Sequence, residues 1–184
     1  NREYRIRGRR GSSTYLGIGS YYGSYGDPSP SGCSGYMDSA DLAVDADGRF
    51  EIVLSQKPQP GNWIAMEPRT SSLIVREFFL DRSGEDPVEL EIESIGVSGP
   101  PPPLDPAALD RALQSASAFV KGSVDLFSSW AESFSKRPNE LHAPPDSVRG
   151  PAHKATNQIF YHGYWKLAAD EALLITAKPP VCRY

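Results

Sequence analysis

Four consecutive prolines, Pro100 to Pro103, constrain the fold of this chain more than any other stretch of its 184 residues. Each proline fixes φ and lacks an amide hydrogen, so neither a helix nor an internal strand can continue through them. Before the prolines, apolar residues recur mainly at every second position, and after them at every third or fourth. The sequence therefore predicts a β-sheet region followed by a helical region.

The first half of the sheet region predicts two hairpins. Residues 4–22 alternate apolar and polar side chains around a Gly/Ser turn, as in a hairpin, and residues 23–35 have the composition of a loop. Residues 41–55 predict two strands that flank a tight turn. In that turn Asp47 and Gly48 are expected to supply the two positive-φ residues.

The second half of the sheet region predicts further antiparallel strands. Residues 71–81, "SSLIVREFFLD", are apolar on both faces and predict a buried strand. Residues 87–95 alternate strictly, which points three apolar side chains inward and three glutamates into water. The inward side chains are Val88, Leu90 and Ile92, and the outward ones are Glu89, Glu91 and Glu93.

Residues 105–137 predict one long helix. Asp105 is a suitable N-cap, Pro106 suits the first helical position, and Pro138 ends the helix. Gly122 at mid-length predicts a kink or a break. An apolar stripe, expected to pack on the sheet, is formed by Leu109, Leu113, Ala116, Val120, Val124, Phe127, Ala131 and Phe134.

These predictions give a single domain over residues 1–184. Its parts are a sheet region (1–97), a Pro-rich linker (98–104), the helical segment (105–137), and a loop with a returning strand (138–184). The returning strand is predicted at "ALLIT", residues 172–176. The chain starts without an initiator Met or a signal-peptide apolar region and stops in strand-like residues, so we expect a fragment of a longer protein.

Composition disfavours several classes of partner. A net charge of −4 disfavours nucleic-acid binding, which depends on neutralising phosphates. No apolar run approaches the roughly 20 residues of a membrane span, so no membrane partner is expected. Cys33 and Cys182 lack CxxC spacing, and two free thiols are favoured over a disulfide. We therefore expect a cytoplasmic protein.

The sequence carries no catalytic or metal-binding signature. His142, His153 and His162 do not form a His-x-His pair, and "DADG" lacks the ligand spacing of a calcium loop, so no metal or other cofactor is expected. No Gly-x-Ser-x-Gly nucleophile elbow is present. Whether the protein is an enzyme is left open.

Basic residues crowd the N-terminal strand. Alternation puts Tyr4 and Ile6 on one face and Arg5 and Arg7 on the other. The basic face could bind an anion or a sugar, or it could be the solvated outer face of a sheet edge that charge protects from aggregation. The second interpretation is favoured.

Two charges stand at the centre of the 71–81 segment. Alternation puts Arg76 and Glu77 on opposite faces of the strand, so each needs a separate partner. Arg76 is expected either to pair with a carboxylate such as Glu67 or Asp81, or to anchor an anionic ligand. Structural pairing is favoured.

Five stretches together are similar to a known bacterial family: "YRIRGRRGSSTYLGI", "DADGRFEIVLS", "GNWIAMEP", "SLIVREFFLD" and "YHGYWKLAADEALLI". The chain resembles the family catalogued as domain of unknown function 1214, often found behind a companion domain of unknown function numbered 1254. The resemblance implies a jelly-roll-type antiparallel β-sandwich with an appended helical segment. It assigns no activity.

We therefore predict an α+β fold, an antiparallel β-sandwich of jelly-roll type with a long, broken helix after the polyproline linker. The predicted function is a non-catalytic or auxiliary module that binds a small molecule or a carbohydrate through Arg76, Trp63, Tyr161, Tyr164 and Trp165. The alternatives are a metal-independent enzyme of small-molecule or carbohydrate metabolism and a structural domain of a larger assembly. A companion domain, or self-association through an incomplete C-terminal edge, is expected as partner.

Overall fold

The computed structural model describes residues 2–25, 29–100, 102–143 and 160–178. The chain divides into two compact units. The sheet unit comprises residues 1–23 and 29–104, and the helix unit comprises residues 24–28 and 105–184. The boundary after Leu104 coincides with the end of the predicted Pro-rich linker, and the described elements give a mixed α+β structure.

Strands of the sheet unit form two sheets. They are β1 (Tyr4–Arg9), β2 (Tyr15–Tyr22), β3 (Gly32–Asp38), β4 (Arg49–Ser55), β5 (Trp63–Ala65), β6 (Thr70–Phe78) and β7 (Glu89–Ser94). The four-stranded sheet has the order β5-β4-β1-β7, and the three-stranded sheet has the order β3-β2-β6. Neighbouring strands are antiparallel except for the pair β4 and β5.

The hairpin predicted over residues 4–22 is wrong, because β1 and β2 belong to different sheets. β1 lies between β4 and β7, and β2 lies between β3 and β6. The link between them is held by backbone bonds from Arg10 N to Gly48 O (2.8 Å) and from Ser12 N to Asp86 O (3.0 Å). These long-range bonds carry the chain from one sheet to the other.

Both sheets contribute to one hydrophobic core. The four-stranded sheet supplies Ile6, Phe50, Ile52, Leu54 and Ile64, and the three-stranded sheet supplies Leu16 and Ile18. The alternation predicted for the strands at 4–9 and 49–55 is therefore confirmed, since their apolar positions point to the core and their charged positions away from it.

β2 is buried on its other face as well. Tyr15 and Tyr21, which point away from the core, are 1% and 0% exposed. Their rings lie over Gly17 and Gly19. A Cβ atom at Gly17 would meet the Tyr15 hydroxyl at 2.6 Å, and one at Gly19 would meet the Tyr21 ring at 2.7 Å. The glycines leave the space that the tyrosine rings fill.

Two local predictions around β3 and β4 need correction. Residues 32–35 belong to β3 rather than to a loop, and residues 41–45 form no strand. In the turn before β4 only Gly48 has positive φ, at 75°. The Asp45 carboxylate accepts bonds from the backbone N–H groups of Asp47 (2.9 Å) and Arg49 (2.8 Å), so this side chain shapes the turn instead of a positive-φ Asp47.

The β4–β5 pair is parallel, although the sequence predicted an all-antiparallel sheet. Parallel neighbours usually need a connection of about a dozen residues or more. Here residues 56–62 suffice, because β4 ends at Ser55 and β5 begins beside Val53, so the chain only has to move back two positions. Asn62 fixes this return by donating to the backbone oxygens of Ala43 (2.8 Å) and Glu51 (3.1 Å).

β6 and β7 are the edge strands on one side of the sheet unit. The strand predicted at 71–81 exists as β6, but it is not buried on both faces, because it has a neighbour on one side only and all its residues are half-buried or exposed. β7 alternates as predicted. Its Ile92 is nevertheless 58% exposed, since no strand of the described residues pairs with the outer edge of β7.

The helix α1 spans Pro106–Ser135. Its N-cap is confirmed, since the Asp105 carboxylate accepts bonds from Ala107 N (3.1 Å) and Ala108 N (3.2 Å). The predicted break at Gly122 is wrong, because α1 is continuous through this position. A single glycine costs about 1 kcal/mol relative to alanine, which a helix of this length tolerates.

The last turns of α1 pack against the C-terminal segment. Trp130 and Phe134 are buried, and each ring centroid lies 5.3 Å from that of His162. His162 and His142 exchange both of their backbone hydrogen bonds, at 2.9 and 3.0 Å. Asn139, whose φ is 63°, extends this pairing. Its side-chain amide donates to the backbone oxygen of Lys166 and accepts from the backbone N–H of the same residue.

The returning strand predicted at residues 172–176 is wrong, because this stretch forms no strand in the structure. Leu174 is 88% exposed. Strand-like composition becomes a strand only when another strand accepts its backbone bonds. The packing of the apolar stripe of α1 on the sheets stays a prediction.

Truncation of Trp130 should destabilise the helix unit. We expect Trp130→Ala to cost about 3 kcal/mol, since it removes a buried indole and leaves a cavity next to Phe134 and His162. Val124→Ala on the same helix is the control. Its side chain is 61% exposed, and we expect a change below about 0.5 kcal/mol. Urea unfolding followed by circular dichroism measures both, and equal effects would contradict the packing.

Candidate functional site

The outer face of the four-stranded sheet carries eight charged side chains, and we call it the charged face. Strand registers place its side chains in three rows across the strands. The rows are Trp63, Val53, Arg5 and Glu93; then Glu51, Arg7 and Glu91; then Arg49, Arg9 and Glu89.

Four salt bridges tie the first two rows together. Arg5 contacts Glu51 and Glu93, each at 3.0 Å, and Arg7 contacts the same two carboxylates at 3.1 and 3.0 Å. The hydrogen bond to Glu93 and the nearby Glu51 charge raise the pKa of Arg5 above its ordinary value. β1 is therefore an inner strand on which Arg5 and Arg7 are neutralised, and the expectation of a charged sheet edge is wrong.

The third row lies in an open depression of about 600 Å³. Arg9 and Arg49 stand directly opposite each other on β1 and β4. Within the residues that the structure describes, neither guanidinium forms a salt bridge or a side-chain hydrogen bond. Glu89 and Glu91 also line the depression. Their carboxylates likewise form no salt bridge and no side-chain hydrogen bond within the described residues.

Trp63 is the predicted site residue that lies on the charged face. It stands beside the outward-facing Val53, and its indole Nε1 donates to Ser55 Oγ at 3.0 Å. The ring is half-buried at the far end of the face from the depression. The next residue of β5, Ile64, points to the other side of the sheet, into the core.

Arg76 lies on the other sheet. Its Nη1 donates to the Tyr21 hydroxyl at 3.0 Å, and its guanidinium carbon is 5.6 Å from the Tyr21 ring centroid. Burial raises the pKa of the Tyr21 phenol, and the bond from Arg76 opposes this shift. The carboxylates considered as partners make other contacts, Glu67 with Arg69 and Asp81 with Ser83. The phenol of Tyr21 is thus one partner of Arg76.

Glu77 confirms that the two central charges of β6 have separate partners. Its Oε1 accepts bonds from Ser13 Oγ (2.8 Å) and from Val88 N (2.9 Å). Ser13 is buried and is held in turn by Arg10, whose guanidinium donates to its hydroxyl (2.8 Å) and its backbone oxygen (2.7 Å). This network joins β6 to the β1–β2 link and to the start of β7, so it serves the fold.

The remaining predicted site residues lie in the helix unit. Tyr161, Tyr164 and Trp165 are in the segment that pairs with residues 139–142, and each is exposed. The five predicted residues thus divide between the two units, with Arg76 and Trp63 on different sheets of the sheet unit. Their convergence on one pocket stays a prediction.

The thiols and histidines show no catalytic arrangement in the described residues. Cys33 is a free thiol that donates to Gly35 O at 3.3 Å, and burial raises its pKa, which keeps it protonated at neutral pH. Cys182 and His153 lie outside the described residues. In the part that is described, no three His, Cys, Asp or Glu side chains are grouped to hold a metal ion.

Sequence reasoning missed the arginine pair of the third row. Alternation did place Glu89 and Glu91 on an outward face, and Arg9 is one of the basic residues that crowd the N-terminal strand. The missing information was that β1 pairs with β4, which sets Arg49 opposite Arg9. That register depends on strands far apart in the chain, and the local pattern around residue 49 does not specify it.

Comparison with known proteins gives one structural likeness. An uncharacterized protein from Burkholderia cenocepacia, known from a crystal structure, shares 40% sequence identity with this chain. The match has a TM-score of 0.82 and covers 91% of the present chain. This chain spans 47% of that protein, or about half. No protein-family model and no curated protein match the chain. No helix of the described residues is both long and apolar enough to cross a membrane.

Substitution of Glu77 should separate its hydrogen-bonding role from its charge. We expect Glu77→Met to cost about 1 to 3 kcal/mol, because it leaves the buried Ser13 hydroxyl and the Val88 N–H without their acceptor. Glu77→Gln keeps an acceptor oxygen and should cost less. Urea unfolding of the two variants tests this, and equal losses would show that the charge itself matters.

The Glu85 carboxylate should make stability depend on pH. Burial alone would raise its pKa, but bonds from the backbone N–H groups of Asp81, Thr14 and Leu80 outweigh this and lower it below the ordinary value of 4.5. A lowered folded-state pKa means that the stabilisation is complete above the ordinary value. It is lost as pH falls below that value and through the folded-state pKa.

We therefore expect the difference in unfolding midpoint between wild type and Glu85→Gln to be constant from pH about 7 to about 5, and to narrow at lower pH. Urea unfolding at a series of pH values measures it. A difference that does not change down to pH about 3 would contradict this account.

Proposed function

We propose that this chain is a non-catalytic module that binds a small polar molecule or a carbohydrate in the depression at the end of the charged face. The observation that carries the proposal is the concentration of charged groups there, namely two arginines, two glutamates and Asp45, none of which is engaged with another described side chain. Charged side chains on the same face satisfy one another where they can, as Arg5 and Arg7 do. Unengaged groups in a concave site are available to a ligand.

The rigidity of the surrounding strands supports binding. β1, β4 and β7 carry the arginines and the glutamates, and their other faces pack into the core through Ile6, Ile52 and Leu90. A site on packed strands is held in one geometry without an ordering cost at the moment of binding. Recognition can then rely on charge and hydrogen bonds.

The alternative is a metal-independent enzyme in which Glu89 and Glu91 act as acid and base. Such a pair needs surroundings that push the two pKa values apart. Both glutamates are exposed on one face of the same edge strand, in similar surroundings, so this arrangement favours binding over catalysis.

Family membership, the finer fold type and the companion domain are proposals of the same kind. We propose a β-sandwich of jelly-roll type because both sheets share one core. Membership of the family catalogued as domain of unknown function 1214 is supported by the five stretches quoted above. A companion domain is supported by the Burkholderia cenocepacia protein, which is about twice as long as this chain.

A screen of small polar molecules tests the proposed function. We expect a ligand that raises the melting temperature of the chain and is recovered unchanged. Its amide shifts in NMR should centre on residues 7–9, 49–51 and 89–91. Recovery of a product would support the enzyme instead. Shifts centred on Tyr161, Tyr164 and Trp165 would move the site to the helix unit, and no binding by any compound would contradict the proposal.

A further inference from the structure

Arg9 and Arg49 form a cationic corner in the depression. Because they stand directly opposite each other on β1 and β4, their Cα atoms are about 5 Å apart and their guanidinium groups can both reach one point above the sheet. Like charges in directly opposed positions repel and destabilise a strand pair. One oxyanion between them would remove the repulsion and accept hydrogen bonds from both guanidinium groups.

Glu89 and Glu91 form an anionic corner beside it. Glu89 is the partner of Arg9 in the β1–β7 register, and Glu91 follows on the same face about 7 Å along β7. Arg7, which stands opposite Glu91, is engaged by Glu51 and Glu93 instead. The two carboxylates can therefore receive an ammonium group or other hydrogen-bond donors.

The two corners occur side by side in one depression of about 600 Å³. A simple anion would meet the repulsion of the glutamates, and a simple cation would meet that of the arginines. A molecule that carries both charges at matching separation satisfies both corners at once. The only large aromatic ring placed on this face by the described registers, Trp63, is at its other end, so charge rather than ring stacking must select the ligand.

We propose that the depression binds a dipolar small molecule, with its oxyanion between Arg9 and Arg49 and its ammonium group against Glu89 and Glu91. This rests on the proposed function and names the class of ligand for the same site. The separation between the two charges of the ligand follows from the strand spacing and is on the order of 5 to 7 Å. ω-Amino carboxylates have this form.

The test compares three probes of one length on the full 184-residue chain. They are 5-aminopentanoate, which carries both charges, pentanoate, which carries the anion alone, and pentylamine, which carries the cation alone. NMR titration of backbone amides and arginine side chains measures weak binding directly. We expect 5-aminopentanoate to bind about tenfold more tightly than either single-charge probe, with shifts at residues 7–9, 49–51 and 89–91.

Substitutions then assign the ends of the ligand. Arg9→Gln and Arg49→Gln should each weaken 5-aminopentanoate about tenfold and leave pentylamine no weaker. Glu89→Gln and Glu91→Gln should weaken 5-aminopentanoate and pentylamine but not pentanoate. Arg111→Gln is the matched control, because it removes the same charge from an exposed position on α1 and should change none of the three affinities.

Each outcome decides a definite point. If 5-aminopentanoate binds no more tightly than pentanoate, or if its shifts fall outside the depression, the dipolar ligand is overturned. If the screen finds another class of ligand in the depression, the proposed function stands and this inference fails. If neither the probes nor the screen show binding, both fail.

Discussion

The sheet unit depends on one strand that is buried on both faces. β2 sends Leu16 and Ile18 into the core that it shares with the four-stranded sheet, and it covers its opposite face with Tyr15 and Tyr21. A strand in this position needs alternating apolar residues on one side and room for large rings on the other. The two glycines between the tyrosines provide that room. The positions of β3 and β6 follow, because both take their register from β2.

The charged face contributes to the structure in a different way from the core. Its four salt bridges are exposed, so solvent screens them and they contribute little to stability. They nevertheless fix where Arg5 and Arg7 point, because each guanidinium is held between two carboxylates. The network stops at the second row. Arg9 and Arg49 lie beyond it on the same rigid strands, which is why the end of the face and not its centre is suited to a ligand.

Local patterns predicted the elements that local interactions determine. The N-cap at Asp105, the alternation of β7 and the positions of β4 and β6 could all be read from neighbouring residues. The partners of the strands could not. The supposed hairpin at residues 4–22 has a suitable turn composition, yet its two strands are separated by bonds to Gly48 and Asp86. The candidate site shares this limit, because the arginine pair depends on a register between β1 and β4 that only the folded chain reveals.

The order of strands in the four-stranded sheet also bears on how the protein is made. β1 leaves the ribosome before the other strands of the sheet unit, but one of its two neighbours is the last strand of the unit, and Arg5 meets Glu93 across 88 positions of sequence. At about 5 to 20 residues per second, several seconds of synthesis separate them. During that interval the edge of β1 that will receive β7 stays open to other chains. Translation speed and chaperone access before residue 94 is made therefore matter more for this sheet than for one built from sequential hairpins.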